Sequence, residues 1–224
     1  LFRNPNPIRK IMSFSTIPLA SFRTACSAFL VFGLSVTTVQ AQDQPELPIG
    51  SVAPMIDAPL ATTSGDTLTL AGTAGENGLL VVFTSNTCPW VHRWESRYIE
   101  VASLAAENGI GMIALNPNEA TRSEGESMDD MRRRAAEYAY NFPYALDRDH
   151  LLATAYGANR TPHVYLFNSD MVLVYRGAID DNAHDPQDVQ QTYAKDAIRQ
   201  LAAGEPISKE TSASLGCTIK WLSE

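Results

Sequence analysis

Apolar and polar residues fall along this chain in blocks whose lengths separate strands from helices. Residues 79–85 open with the five apolar residues LLVVF, which leave no polar face and predict a strand buried on both sides. From 89 to 108 the apolar residues Val91, Trp94, Tyr98, Val101, Ala102 and Ala105 recur at helical spacing, and Asn108-Gly109 supplies the stop. Residues 110–115 predict a second buried strand, 128–140 a helix, and 147–156 a short helix closed by Gly157. Two strands, 164–167 and 172–175, follow around the turn Asn168-Ser169-Asp170, and 187–203 predicts a last helix ended by Gly204.

The segments between these blocks are turns or entry strands. Residues 42–58, with Pro45, Pro48 and Pro54, read as an extended entry, and 62–70 around Ser64-Gly65-Asp66 as a small hairpin. Residues 116–127 form a polar loop with Pro117 and Gly125, either a rim to a site or a solvated connector. Strand-helix-strand order followed by a strand hairpin and a closing helix predicts an α/β fold: a mixed central sheet with helices on both faces, in one domain over 42–203, with a tail over 204–224 packed on it.

The first 41 residues stand apart. They hold Arg3, Arg9, Lys10 and Arg23 and no acidic residue, then an apolar run over 25–36 and the small-residue end Val39-Gln40-Ala41. That is the layout of a secretory signal peptide, with residues 1–11 upstream of a start at Met12, and its apolar run is too short for a stable membrane anchor. Export, most simply to a periplasm, is the expected destination. The whole chain has 17 basic and 25 acidic residues, so the part after Ala41 carries 13 basic against 25 acidic, a formal charge of −12. A surface so acidic repels nucleic acid and anionic lipid, which removes both as expected partners.

Candidate chemistry centres on Cys88, which sits where a buried strand gives way to a helix. The first amides of a helix have no internal partners and favour negative charge, so a thiol placed there is favoured as the nucleophilic thiolate. Ser85 and Thr87, just ahead of it, bring hydroxyls to the same turn. His92 is four residues on and on the same helical face, and with Cys88 and His163 it offers an alternative reading as a soft-metal site, copper above all; the plainer reading leaves His92 exposed and His163 on the far side of its strand. Cys217 is the second cysteine after Ala41, 129 residues from Cys88, and spacing alone does not decide whether it meets Cys88, is structural or is free.

The motifs TCPWV at 87–91, TPHVYLF at 161–167, VYRGAIDD at 174–181 and GCTIKW at 216–221, in that order, resemble the peroxiredoxin-like branch of the thioredoxin superfamily, the redoxin proteins related to alkyl hydroperoxide reductase and thiol-specific antioxidant enzymes. The resemblance implies a thioredoxin-like fold and an attacking cysteine at Cys88. It implies a cis-proline at Pro162, with Thr161 before it exposing backbone for an extended thiol substrate. It implies a thiol oxidoreductase that needs no cofactor, whose partners are a small hydroperoxide or a protein disulfide and a thiol reductant. The chain also departs from its relatives. Val91 stands where thioredoxins carry a second cysteine, Ser85 and Val81 replace the threonine and proline ahead of a peroxidatic cysteine, and Arg160 precedes the Thr-Pro pair. Arg160 either brings a cation to Cys88 or is a solvated loop residue. If the tail carries Cys217 to Cys88, it is an internal resolving thiol.

Overall fold

The computed structural model describes residues 45–222, all within one compact unit, Gln40–Glu224. The expected leader over 1–41, with Cys26, lies outside the described residues. No described helix is long and apolar enough to cross a membrane.

The strand predicted from LLVVF is β3 (Gly78–Phe83), every residue of which is buried. It pairs antiparallel with β7 (His163–Asn168), which pairs antiparallel with β8 (Leu173–Gly177). On the other side of β3 lies β4 (Ile110–Asn116), reached through α2 (Pro89–Glu107) and pairing in parallel with β5 (Tyr144–Leu146). The sheet is therefore mixed, in the order β5, β4, β3, β7, β8. Alternation along β3 and β7 sends Leu80, Val82, Val164 and Leu166 into one core with α2 and α5 (Tyr193–Ala202). It sends Leu79, Val81, Phe83, Tyr165 and Phe167 into a second core with α1 (Leu70–Thr73) and α4 (Leu151–Tyr156). Helices on both faces, as expected, follow from strands with no polar face.

Local chemistry sets the boundaries. Proline at the first helical position opens α2, where its missing N–H costs nothing. A Ser127–Asp130 capping box opens α3 (Met128–Glu137), which stops three residues earlier than its apolar pattern suggests, with Ala139 in the left-handed region. The expected hairpin is β1 (Leu60–Ala61) with β2 (Thr67–Leu68), shorter at its end because the Thr69 hydroxyl caps α1. The last helix begins at Tyr193 rather than 187: residues Pro186–Asp188 form a separate 3-10 turn, after which the Gln190 amide bonds the Asp181 carboxylate at 3.0 Å and the Gln191 carbonyl accepts the Asp181 amide, so the chain does not coil again before Tyr193. Two further strands, β6 (Arg160–Thr161) and β9 (Cys217–Thr218), form a small antiparallel ladder that bears on the site.

Beside the sheet, Asp180 joins α2 to the loop after β8. It accepts the Trp94 indole N–H at 2.7 Å and pairs with Arg97, both partners almost fully buried, while Arg97 also donates to the Asn182 carbonyl at 2.6 Å. Among the described residues the Nε and Nη2 of Arg97 have no partner of their own, and Asp180 is the counter-charge the guanidinium meets there. Removing one member of a buried pair strands the other. We expect Asp180→Ala to lower the unfolding free energy by about 3–5 kcal/mol in urea denaturation, and a loss below about 1 kcal/mol would show the pair to be dispensable.

Candidate active site

Cys88 is the residue immediately before α2, so the strand-to-helix junction read from the sequence is where it sits. Its side chain is only 3% exposed. The thiol does not cap the helix. It lies 3.2 Å from the Thr161 carbonyl oxygen, to which it can donate, and the Thr161–Pro162 bond is cis. The Cys88 backbone amide donates to Ser85 Oγ at 3.2 Å, which fixes where the cysteine leaves the turn.

The other cysteine lies beside Cys88 at the start of α2. Cys217, half-buried on β9 opposite Thr161, packs against the core cluster that holds Cys88, close enough for the Cys88 thiol and the Trp90 amide to bear on its titration. Both cysteines are free. The Cys217 pKa is pushed up to about 11, first by burial and next by the Cys88 thiol beside it, against which the Trp90 amide works. At neutral pH Cys217 therefore keeps its proton and can offer it to the Cys88 sulfur. The chain after Gly204 returns to the site through β9. Ile219 is buried, and Trp221 packs against His150 with ring centres 4.8 Å apart.

The turn that presents Cys88 is built around a carboxylate the sequence did not single out. Glu126, fully buried, accepts six hydrogen bonds, from the Ser85 and Thr87 hydroxyls, the Asn86 and Thr87 amides, and the Asn116 and Asn118 side chains. Burial would raise its pKa, but the donors, led by Ser85 and Thr87, outweigh it and hold the carboxyl below the usual range. The Ser85 proton is committed to Glu126, so this hydroxyl accepts from the Cys88 and Thr87 amides and has none to give a bound oxidant. Arg122 completes the frame, donating to the Asn116 side chain at 2.7 Å and to the Glu126 carbonyl at 3.0 Å. The loop over 116–127 is thus neither an open rim nor a solvated connector. The only sequence signal for Glu126 was an acidic residue just ahead of the Ser127 cap, indistinguishable from the many surface acids.

The remaining candidates lie elsewhere. Arg160 makes no hydrogen bond or ion pair with Cys88; its charge is felt instead at His163. The alternative metal set of Cys88, His92 and His163 is not brought together. His92 Nε2 is 2.6 Å from the Asn86 carbonyl. His163 shares the face of β7 that carries Tyr165 and lies tilted against that ring with centres 4.6 Å apart, on the side of the sheet away from Cys88. Burial, then the nearby Arg160, lowers the His163 pKa to about 3, so it is a neutral core histidine at physiological pH. Among the described residues, no group of three or more histidine, cysteine or acidic side chains is placed to hold a metal. Trp94 is core, as its helical stripe suggested, while half-buried Trp90 lines the surface next to Cys88, edge-on to His184 and under Arg93.

A carboxamide in place of Glu126 would turn two N–H groups towards converging donors. Glu126→Gln should cost about 1–3 kcal/mol in denaturant unfolding at pH 7, because each buried donor left unpaired carries that order of penalty. Since the folded-state pKa of Glu126 is depressed, its contribution is fully present above the unfolded-state value of about 4.3 and is lost as pH falls through the lower folded-state value. The gap between wild type and Glu126→Gln should therefore close on acidification below about pH 4. A gap that stays constant from pH 7 to 3 would rule out an ionised hub.

Residues 48–194 match the family model described as Redoxin. Among solved structures, the chain is similar to a hypothetical protein from Sinorhizobium meliloti 1021, with 30% identity over 80% of this chain and 97% of that one, at a TM-score of 0.73. It is also similar to an uncharacterized conserved protein from Geobacillus kaustophilus, with 29% identity over 80% and 95% of the two chains, at the same TM-score. The bacterioferritin comigratory protein of Xanthomonas campestris, solved for insights into its alkyl peroxide reduction activity, shares the fold at 17% identity and a TM-score of 0.51, over 71% of this chain and 96% of that one. Comparison with curated proteins finds no match. With about two thirds of its length matched by one family model, and Cys88 seated between the start of α2 and the Thr161–Pro162 bond, the chain belongs to the Redoxin family of thioredoxin-like proteins.

Proposed function

We propose that this protein is an exported thiol peroxidase in which Cys88 reduces a small hydroperoxide and Cys217 resolves the product. The observation that carries this reading is the contact between the two thiols at the start of α2, one buried against the Thr161 carbonyl and the other protonated beside it. A cysteine that is only 3% exposed favours a small oxidant over a bulky one. The fold shared with the Xanthomonas campestris protein, whose alkyl peroxide reduction is on record, supports a peroxide as that oxidant. Export rests on the basic, apolar and small-residue sequence of residues 1–41.

In the proposed cycle the Cys88 thiolate attacks one peroxide oxygen. The O–O bond breaks, an alcohol or water leaves with a proton, and Cys88 becomes a sulfenic acid. The Cys217 thiol then attacks that sulfur, the sulfenic oxygen leaves as water, and a Cys88–Cys217 disulfide remains. A dithiol reductant returns both sulfurs by exchange and is itself oxidised to a disulfide. Glu126, through Ser85 and Thr87, positions Cys88 and takes no part in bond making.

Stopped-flow oxidation of the reduced Cys26→Ser protein by hydrogen peroxide, followed by intact mass, tests this reading. We expect oxidation well faster than that of a free thiol, a product lighter by two hydrogens in wild type, a stable product heavier by one oxygen in Cys217→Ser, and no reaction in Cys88→Ser. Oxidation no faster than a free thiol would overturn the peroxidase reading. A stable product heavier by one oxygen, with no loss of two hydrogens, in the protein that keeps Cys217 would overturn the resolving role.

A further inference from the structure

The residues that place Cys217 do more than deliver a second sulfur. Cys88 Sγ lies against one edge of β6, 3.2 Å from the Thr161 carbonyl. An extended polypeptide bringing its own sulfur to Cys88 would have to run along that edge and add to β6 as a further strand, because an open backbone edge next to the thiol is the template for such pairing. In this protein the edge is already taken by the chain itself.

The occupant is well fitted. β9 runs antiparallel to β6, with Thr218 opposite Arg160 and Cys217 opposite Thr161. Gly216 approaches β6 so closely that a Cβ there would lie 2.3 Å from the Thr161 carbonyl oxygen and 3.1 Å from the Pro162 nitrogen, so only glycine lets the tail seat flush. Beyond the ladder the Ile219 amide donates to the Asn159 carbonyl at 3.1 Å, and the Ile219 side chain is 2% exposed. The Lys220 amide donates to Asn118 Oδ1 at 2.9 Å, the Lys220 carbonyl accepts from the Ala120 amide at 3.1 Å, and the Leu222 amide donates to His150 Nε2 at 2.9 Å. A segment that pairs with β6, offers a sulfur to Cys88 and is fastened at each following residue has the form of a bound substrate strand.

We infer that residues 216–222 are a built-in substrate strand that fills the polypeptide subsite on β6, so that Cys88 accepts small oxidants and excludes extended cysteine-containing polypeptides. The inference rests on the reading of Cys88 as the nucleophile. It makes the tail the element that sets the substrate class of the site, and it leaves Cys217, half-exposed where Cys88 is buried, as the sulfur a polypeptide dithiol can reach.

Three proteins with Cys88 as the only thiol, all carrying Cys26→Ser, test it: Cys217→Ser with the tail intact, the same protein with Gly216→Val added to lift the tail from β6, and a chain ending at Leu215. Each is mixed with hydrogen peroxide and, separately, with a short extended peptide whose single cysteine is activated as a mixed disulfide with thionitrobenzoate. Attack by Cys88 on the peptide sulfur forms the Cys88–peptide disulfide and expels thionitrobenzoate, which is read by its colour. The tailed protein should react with peroxide and only slowly with the peptide. The Gly216→Val protein should react with the peptide about tenfold faster or more, measured relative to its own peroxide rate. The Leu215 truncation should do the same if it folds, and Gly216→Val, which keeps every anchor beyond residue 217, decides the matter if it does not. Equal peptide rates with the tail seated and lifted would overturn the inference while leaving the peroxidase reading intact. Inertness of Cys88 towards peroxide in all the proteins would overturn that reading and the inference with it.

Discussion

A buried carboxylate can stay ionised only if its surroundings replace water, and at Glu126 they do so with six donors. Meeting that requirement draws in the turn before α2 and the loop after β4, two segments 40 residues apart in sequence that share no sheet hydrogen bonds of their own. The amides of Asn86 and Thr87 point at the carboxylate, and the Cys88 amide is held through Ser85. The direction in which Cys88 leaves the backbone is therefore set by a charge that never touches the sulfur. Asn118 extends the same frame to the tail, since it donates to Glu126 and accepts from Lys220.

The sheet performs a complementary separation. Because β7 alternates, His163 belongs to the core on the face away from Cys88, even though it follows Pro162 directly in sequence. Cys217 is far away in sequence yet in contact, because β9 pairs with β6. Nearness in the chain misleads at one position and distance in the chain misleads at the other, and in both cases strand geometry is the reason.

The long elements were legible. Buried β3 and β4 showed as unbroken apolar runs, and α2 showed as a stripe with a proline start and an Asn-Gly end, because these patterns arise from burial and local stereochemistry. Cys88 was legible for the same reason, being fixed by the boundary between two such elements. The three-residue β5 and the two-residue β6 and β9 were not, since so short a strand carries no period and exists only by virtue of its partner. Glu126 stayed hidden among 25 acidic residues because composition gives no sign of which one is buried. The helix-end argument was right about the junction and incomplete about its use. The start of α2 also bears on Cys217, a residue whose position only the β6–β9 ladder decides.

The contact between Cys217 and Cys88 also has a kinetic meaning. A thiol held in place by its own chain acts at an effective concentration that no free thiol in the surrounding solution approaches. In the proposed cycle, the first reducing group that an oxidised Cys88 meets would therefore be one the protein carries with it, and that first step would not depend on how reducing or oxidising the compartment happens to be.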